Sequence, residues 1–268
     1  MYPNRLDLQP EDMTGLVDTH CHLDLKPLVS NLPLVLASAR QAGVTRFVVP
    51  GVHPDGWVRM DEIAQKHAGV DSAFGIHPMH ADLVDDQALG HLAEFAPRGV
   101  AIGEIGLDSL YSVPLAVQER AFREQLRLAV SLGLPVLVHC RRAFQRTLQI
   151  LREEKARQVR GIMHAFSGSV EMAMEFIRLG FLISISGTVT WDKAVRPVRL
   201  ARQLPLEHLV LETDAPDLPP QVFRGQPNQP SYLVEMQRAV AQIRGIPPRD
   251  VLRQTTKNVE QLLDEPNI

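Results

Sequence analysis

Leu16-Val17-Asp18-Thr19-His20-Cys21, residues 16–21, is the first of eight short apolar runs whose ends carry polar side chains. The other seven runs are 46–52, 71–76, 99–105, 134–139, 161–165, 181–186 and 208–213. Short runs of this kind are typical of strands that are buried on both faces of a parallel sheet. The stretch at 16–21 therefore predicts the first strand of an α/β protein.

Segments with apolar residues three to four positions apart lie between these runs, and this spacing predicts helices. They cover 33–42, 55–67, 85–95, 115–132, 144–157 and 170–179, and Gly43, Gly133 and Gly180 stand where helix C-caps are expected. Eight repeats of strand and helix favour a closed (β/α)8 TIM barrel over an open doubly wound sheet. The 268 residues are close to the roughly 250 of such a barrel, so we expect one domain over 1–268 with an N-terminal extension at 1–15.

The composition limits the class of protein. With 45% hydrophobic and 22% charged residues, the chain can form a core in water. A formal charge of -3 provides no global positive field, so any recognition of phosphate must be local. Two cysteines are too few for a disulfide framework, and no apolar run is long enough to span a membrane. We therefore expect a cytoplasmic protein with no membrane association and no obligate protein partner.

Ligand-type side chains stand where the predicted strands end, which is where a (β/α)8 barrel carries its catalytic groups. The six candidates are His20, His22, Glu104, His139, His164 and Asp214. All six are expected to converge on one barrel mouth. Because six imidazole and carboxylate ligands exceed the four of a closed structural zinc site, we expect one or two divalent cations, with Zn, Mn, Ni, Co and Mg all left open.

His20 and His22 are two positions apart, so on a strand they share a face while Cys21 points away. For Cys21, and for Cys140 after His139, a small buried hydrophobic role is favoured over metal ligation.

The carboxylates are interpreted in the same way. Glu104 lies in an apolar strand where an ionised group would be costly without a cation, which favours a bridging ligand. Asp214 is assigned to the metal. Glu212 is assigned to orienting a ligand histidine, with a buried structural carboxylate as the alternative.

Ordered motifs then give the chain a family resemblance. They are Asp18-Thr19-His20-Cys21-His22-Leu23-Asp24, Gly75-Ile76-His77-Pro78, Gly103-Glu104-Ile105-Gly106-Leu107-Asp108, His139 with Arg141 and Arg142, His164-Ala165-Phe166-Ser167-Gly168, and Glu212-Thr213-Asp214-Ala215-Pro216. From about residue 16 to the C-terminus the chain resembles the TatD family of metal-dependent hydrolases, and within it the YjjV-like branch. The resemblance implies an amidohydrolase-type barrel, the same six ligands, and a family that includes deoxyribonucleases acting on DNA 3′ ends.

We expect two half-sites, in which His20, His22 and Asp214 hold one cation and His139 and His164 hold the other. Glu104 would bridge them. Water activated by the metal would attack a phosphodiester, with Glu104 and Asp214 as the catalytic residues and Asp214 as the general base.

Substrate contacts are expected from the loops beyond the strand ends. The candidates are His77, Arg141, Arg142, Ser167 and Arg224. Two arginines predicted for the first turn of a helix suggest a phosphate clamp, with a solvated surface as the alternative. Ser167 precedes a helix and offers backbone donors to an anion, or a plain N-cap. The resemblance assigns His77 to the substrate phosphate, and Arg224 lies in a loop, 215–230, long enough to cover the mouth.

Two other functions remain open at this point. An amidohydrolase or lactonase would use the same activated water on the carbonyl carbon of a small substrate. Many barrels of that type bridge their metals with a modified lysine, whereas this chain has Glu104. The third hypothesis is a metal-binding module that has the barrel fold but no enzymatic activity, since a fold alone does not confer activity.

Overall fold

Residues 15–265 are described by a computed structural model. Their strands form one parallel sheet in chain order, which confirms the (β/α)8 barrel. The strands are β1 (Leu16–Asp18), β2 (Val44–Pro50), β3 (Val70–Phe74), β4 (Ala101–Asp108), β5 (Val136–Arg141), β6 (Gly161–Met163), β7 (Phe181–Ile185) and β8 (Leu209–Leu211). The predicted extension at 1–15 lies outside the described residues except for Gly15, so the single domain over the whole chain stays a prediction.

Helices alternate with the strands and surround the sheet. They are α1 (Leu32–Gln41), α2 (Trp57–Lys66), α3 (Asp86–Phe95), α4 (Leu115–Leu132), α5 (Phe144–Glu153), α6 (Val170–Arg178), α7 (Arg196–Gln203), α8 (Leu233–Arg244) and α9 (Pro248–Leu263). Gly43, Gly133 and Gly180 follow α1, α4 and α6 with φ of 95°, 68° and 88°, the left-handed conformation of the predicted C-caps. In the part of the chain that is described, no helix combines the length and apolar character needed to cross a membrane.

The barrel closes through backbone segments that lie just beyond β1 and β8. Asp214 donates its N–H to the carbonyl of His20 at 2.8 Å, and His22 donates to the carbonyl of Ala215 at 2.8 Å. Cys21 pairs with Ala215 as an isolated parallel bridge between them. The closing seam therefore brings three of the predicted ligands to the same edge of the mouth.

An apolar layer fills the barrel at the N-terminal end of the strands. Each strand contributes one buried member to it: Val17, Val48, Ala73, Ala101, Leu137, Ile162, Leu182 and Val210. Val259 and Leu262 of α9 pack against this layer from below. The interior is thus a packed core in its lower half, as expected for a barrel of this size.

Glycines allow β2, β3 and β4 to approach closely near the mouth. A Cβ on Gly75 would lie 2.6 Å from the carbonyl carbon of Gly103, and a Cβ on Gly51 would lie 2.7 Å from the amide nitrogen of Gly75. Neither contact is possible for a real side chain. The close approach brings the residues that follow, His77 and Glu104, into one corner of the mouth.

Candidate metal centre

Glu104 stands at the centre of a group of histidines. The sequence predicted it at the end of a strand, but β4 continues to Asp108, and the register of β4 against β5 shifts around Glu104. The shift changes which face the following side chain occupies. Four imidazole nitrogens surround the Glu104 carboxylate: His139 Nδ1 at 2.7 Å, His20 Nε2 at 3.2 Å, His77 Nε2 at 3.5 Å and His164 Nε2 at 3.5 Å.

The first half of the site consists of His20, His22 and Asp214. Oδ1 of Asp214 lies 3.7 Å from Nε2 of each histidine. Because β1 ends at Asp18, the two histidines stand in the segment after the strand, not on it as predicted. They still face the same side, with ring centroids 5.1 Å apart, while Cys21 is buried in the apolar core. The predicted alternation therefore holds beyond the strand.

His164 is oriented by Glu212. The Nδ1 atom of His164 lies 3.2 Å from Glu212 Oε2, and Glu212 Oε1 accepts the N–H of Ala165 at 2.7 Å. The Nε2 atom of His164 then faces inward, 3.5 Å from Glu104 and 3.9 Å from Asp214. Glu212 is fully buried, and its predicted role was to orient a ligand histidine that the sequence did not specify.

Asp108 has the same relation to His139, and the sequence interpretation did not assign it a role. Its Oδ2 atom lies 2.9 Å from Nε2 of His139, while Nδ1 of that ring faces Glu104. A signal was present, because Asp108 closes the same apolar strand as Glu104 and would be a costly buried carboxylate without a partner.

Asp18 is a second residue that the interpretation left without a role. Its carboxylate accepts the N–H of Thr213 at 2.9 Å and the hydroxyl of Thr213 at 2.6 Å. These bonds hold the backbone next to Asp214, so Asp18 contributes to the position of a ligand across the seam. Burial raises the pKa of Asp18 to about 7, although the Thr213 bonds oppose the shift.

The electrostatics of the site favour a cation. Burial lowers the pKa of His20, and burial with the neighbouring His20 lowers the pKa of His22 to about 3, so both imidazoles are neutral. Burial opposes ionisation of Glu104, but the surrounding histidines outweigh it and hold its pKa well below the usual value. For His164, the carboxylates of Glu212, Asp214 and Glu104 outweigh burial and raise its pKa to about 10. The carboxylates thus create a strongly negative potential inside the mouth.

Unpartnered nitrogens supply the second test of whether these residues fit a metal. Both ring nitrogens of His20 and Nδ1 of His22 are buried and have no hydrogen-bond partner among the described residues. His20 Nε2 approaches Glu104 without the alignment of a hydrogen bond. Unpaired buried polar atoms are costly, and neutral imidazole with carboxylate is a donor set for divalent transition metals. The residues fit such a cation.

Among residues 15–265, ligand atoms within 4.8 Å of one another form three groups. They are His20 with His22 and Asp214, His20 with His164 and Glu212, and His77 with Glu104 and His139. All six predicted ligands are therefore brought together, and His77, predicted to contact substrate, lies among them.

The predicted substrate residues surround the mouth. Arg141 is the last residue of β5, and Arg142 follows it with a φ of 56°, so both precede α5 and the predicted position in its first turn was wrong. Both are exposed. A cavity of about 630 Å³ is lined by Arg142, Ser169 and Arg196, among others.

An adjoining cavity of about 670 Å³ contains the other two predicted contacts, Ser167 and Arg224. Trp191 lines it as well, and the Arg224 guanidinium lies 4.6 Å from the centre of the Trp191 ring. Arg196 borders both cavities, and the two together are here called the cationic groove. The sequence interpretation did not include Trp191, because this residue is not at the end of a predicted strand.

Comparisons with known proteins identify the family of the chain. The family model described as "TatD related DNase" matches residues 17–264. The protein described as "Uncharacterized metal-dependent hydrolase YabD", from Bacillus subtilis, is 34% identical over 250 residues, which cover 92% of this chain and 98% of that protein. YjjV of Escherichia coli, described in the same way, is 33% identical over 255 residues, covering 93% of this chain and 98% of its own.

The crystal structure of YjjV has a TM-score of 0.89 to this structure at 32% identity, with 95% of this chain and 100% of that chain covered. Sequence and fold thus agree over nearly the whole length of both proteins. The resemblance seen in the motifs is confirmed, and the chain belongs to the TatD family of metal-dependent hydrolases.

Proposed function

We propose that the protein is a phosphodiesterase that acts on DNA or on nucleotide esters and uses one or two divalent cations. The observation that carries the proposal is the Glu104 carboxylate with four imidazole nitrogens within 3.5 Å, beside the unpartnered nitrogens of His20 and His22. A divalent cation bound there supplies a Lewis acid, which lowers the pKa of a coordinated water from about 15.7 to about 7.

The proposal assigns His20, His22 and Asp214 to one cation, His139 and His164 to a second, and Glu104 to both. Hydrogen bonds to the rings of His139 and His164 indicate which nitrogen of each ring would bind the cation. A carboxylate only accepts, so Asp108 and Glu212 favour the tautomers that carry the proton on His139 Nε2 and His164 Nδ1. The opposite nitrogens, His139 Nδ1 and His164 Nε2, face Glu104, and a bound cation would displace their protons and take their lone pairs as ligands.

His77 is assigned to the substrate phosphate on the same reasoning. Its Nδ1 atom accepts the N–H of Met79 at 3.2 Å, so the neutral ring carries its proton on Nε2. Nε2 faces the centre, 3.5 Å from Glu104. A donor in that position suits a phosphate oxygen better than a metal, and it would keep the phosphate against the centre.

Asp214 is assigned as the general base. Its Oδ1 atom lies among His20, His22 and His164 and its side chain is 14% exposed at the mouth, where it can reach an incoming water. In the reaction, the water oxygen forms a bond to phosphorus and its proton passes to Asp214. The P–O bond to the leaving alcohol breaks, and the alkoxide takes up the proton.

The cationic groove supports a substrate with further phosphates. Arg142, Arg196 and Arg224 line it together with Lys193, whereas Asp192 is the acid in its lining. On a chain of charge -3 this is a local concentration of positive charge. Arginine side chains match phosphate geometry, and Trp191 offers an aromatic ring for a base. The groove therefore favours phosphodiesters over small uncharged carbonyl substrates.

The direct test uses protein stripped of metal and reloaded separately with Zn²⁺, Mn²⁺, Ni²⁺, Co²⁺ and Mg²⁺. Each form is offered 3′-labelled single-stranded DNA, bis(p-nitrophenyl) phosphate, and a simple lactone. We expect metal-dependent cleavage of the two phosphodiesters. Hydrolysis of the lactone alone would contradict the proposal and favour an amidohydrolase or lactonase. Full metal binding with no turnover of any substrate would favour a non-enzymatic metal-binding module.

The groove has a matched control. Arg224→Gln removes a cation from it, whereas Arg157→Gln removes an exposed arginine that precedes β6, at the opposite end of the barrel. We expect Arg224→Gln to raise the KM for DNA and reduce its salt dependence, with Arg157→Gln unchanged. Equal KM values for both variants would remove the groove from the binding site.

A further inference from the structure

A cavity of about 370 Å³ opens between the loops that follow β1, β2 and β3. Its polar lining consists of Asp24, His53, Asp55, Arg59 and His80. Backbone bonds connect its walls to the metal centre: the N–H of Leu25 bonds to the carbonyl of His22 at 3.1 Å, and that of His77 to the carbonyl of Val52 at 3.0 Å. The loops that line this cavity are therefore bonded to the segments that carry His22 and His77.

Asp24 is the unusual member of the lining. It is only 5% exposed, and its Oδ1 atom has no hydrogen-bond partner among the residues that the structure describes. A buried carboxylate oxygen without a donor is costly to the folded state. The cost is relieved when a ligand brings an N–H or O–H group to it.

The charge of the cavity limits what that ligand can be. The lining holds two carboxylates, Asp24 and Asp55, and one guanidinium, Arg59, so a phosphate is disfavoured here and a neutral group rich in donors is favoured. The cations that suit phosphates lie in the cationic groove, which is built from the segments after β4 to β8. The two sides of the mouth thus prefer different parts of a nucleotide.

We propose that this cavity binds the nucleoside next to the scissile phosphate, with Asp24 accepting a hydrogen bond from an exocyclic amino group of the base or from a sugar hydroxyl. The proposal rests on the phosphodiesterase function and adds the orientation of its substrate. The terminal nucleoside enters the cavity, the phosphate lies at His77 and the centre, and the rest of the strand follows the cationic groove.

Two variants test the cavity without changing a proposed metal ligand. Asp24→Asn replaces an acceptor-only group by an amide. In Gly56→Ala, the new Cβ lies 3.6 Å from Asp24 Oδ2 and covers that carboxylate, and the φ of -80° at Gly56 suits alanine. Gly90→Ala is the matched control, because a Cβ there meets nothing within 4 Å and Gly90 lies on α3, outside the cavity lining.

Binding of deoxycytidine and thymidine to the metal-loaded protein is measured by calorimetry. We expect Asp24→Asn to raise the Kd for deoxycytidine about tenfold, Gly56→Ala to raise it in the same direction, and Gly90→Ala to match the wild type. A larger effect on deoxycytidine than on thymidine, which lacks an exocyclic amino group, identifies the base as the donor, and an equal effect identifies the sugar hydroxyl.

Wild-type protein that binds neither nucleoside would overturn the proposal, as would unchanged Kd values in both Asp24→Asn and Gly56→Ala. This readout needs no turnover. A protein that binds deoxycytidine through Asp24 but cleaves no phosphodiester would refute the proposed function and retain the cavity, so the two failures are distinguishable.

Discussion

The two ends of the barrel interior are built from the same strands and carry opposite chemistry. In the lower layer, Leu137 and Ile162 are buried among apolar side chains. Two residues further along the chain stand His139, on β5, and His164, directly after β6, and both lie against Glu104. The lower residues stabilise the fold by leaving water, whereas the upper ones are buried polar groups that need a cation or a partner. Stability and metal binding are therefore separable along a single strand.

The largest effect on the metal-binding end of the barrel is expected from Glu104→Gln. Removing the central charge should lower metal content and reduce kcat/KM for a phosphodiester by at least about 10³-fold, since metal catalysis contributes several kcal/mol to the transition state. The lower layer is untouched, so the metal-free variant should still unfold cooperatively in urea. Glu94→Gln, exposed on α3, is the control. Normal metal content and turnover in Glu104→Gln would remove Glu104 from the centre.

A substitution in the lower apolar layer should lower the stability of the fold and leave metal binding unchanged. Leu137→Ala leaves a cavity among buried neighbours and should lower the free energy of unfolding by about 2–5 kcal/mol, while the metal stoichiometry stays unchanged. Urea denaturation and elemental analysis measure the two quantities. Leu34→Ala, at a side chain that is 59% exposed, should cost no more than about 0.5 kcal/mol. If Leu137→Ala also lost the metal, the two ends would not be separable.

Removal of the metal should lower the Tm through the ligands at the mouth of the barrel, without changing the apolar layer. A ligand that binds only the folded state at 100 times its Kd stabilises that state by about 2.7 kcal/mol. For a protein of this size, chelation should then lower Tm by roughly 5–11 °C. Glu104→Gln should show no such shift. An unchanged Tm after chelation of the wild type would argue against a resident cation.

The smallest effect is expected from the carboxylates that orient the histidines. Glu212→Gln and Asp108→Asn should each weaken metal affinity by about 10–100-fold, through His164 and His139 respectively. Competition with a chromophoric chelator measures this affinity. Wild-type affinity in Glu212→Gln, together with a loss of stability, would leave Glu212 with the structural role that the sequence also allowed.

How much of the site was predictable differs from strand to strand. Leu137 and His139 on β5 are two apart, as are Ile162 on β6 and His164 directly after it, so the period of the pleat predicts that each pair shares a face. On β1 and β4 the spacing is odd, from Val17 to His20 and from Ala101 to Glu104. On β4 a register shift between Ile102 and Ile105 accounts for the change of face, and it depends on how β4 pairs with β5. His20 lies beyond the end of β1, where the period of a strand no longer applies.

Contacts between distant loops were beyond the reach of the sequence. The Arg224 guanidinium lies 4.6 Å from the centre of the Trp191 ring in the cationic groove, and Asp24 shares a cavity with His80. Neither pair is close along the chain. The positive φ of Arg142 likewise depends on how the chain leaves β5 before α5 begins. Nothing in the local spacing encodes these arrangements.

By itself the sequence determined the eightfold alternation and the six ligand-type side chains, because the periods of strand and helix are local properties of the backbone and C-terminal strand ends meet at one mouth. Only the tertiary structure decided that Glu104 is central, that Asp108 and Glu212 orient two of its histidines, and that Asp24 faces a separate cavity. Those outcomes depend on register and on the closing seam, which exist only once distant segments pair.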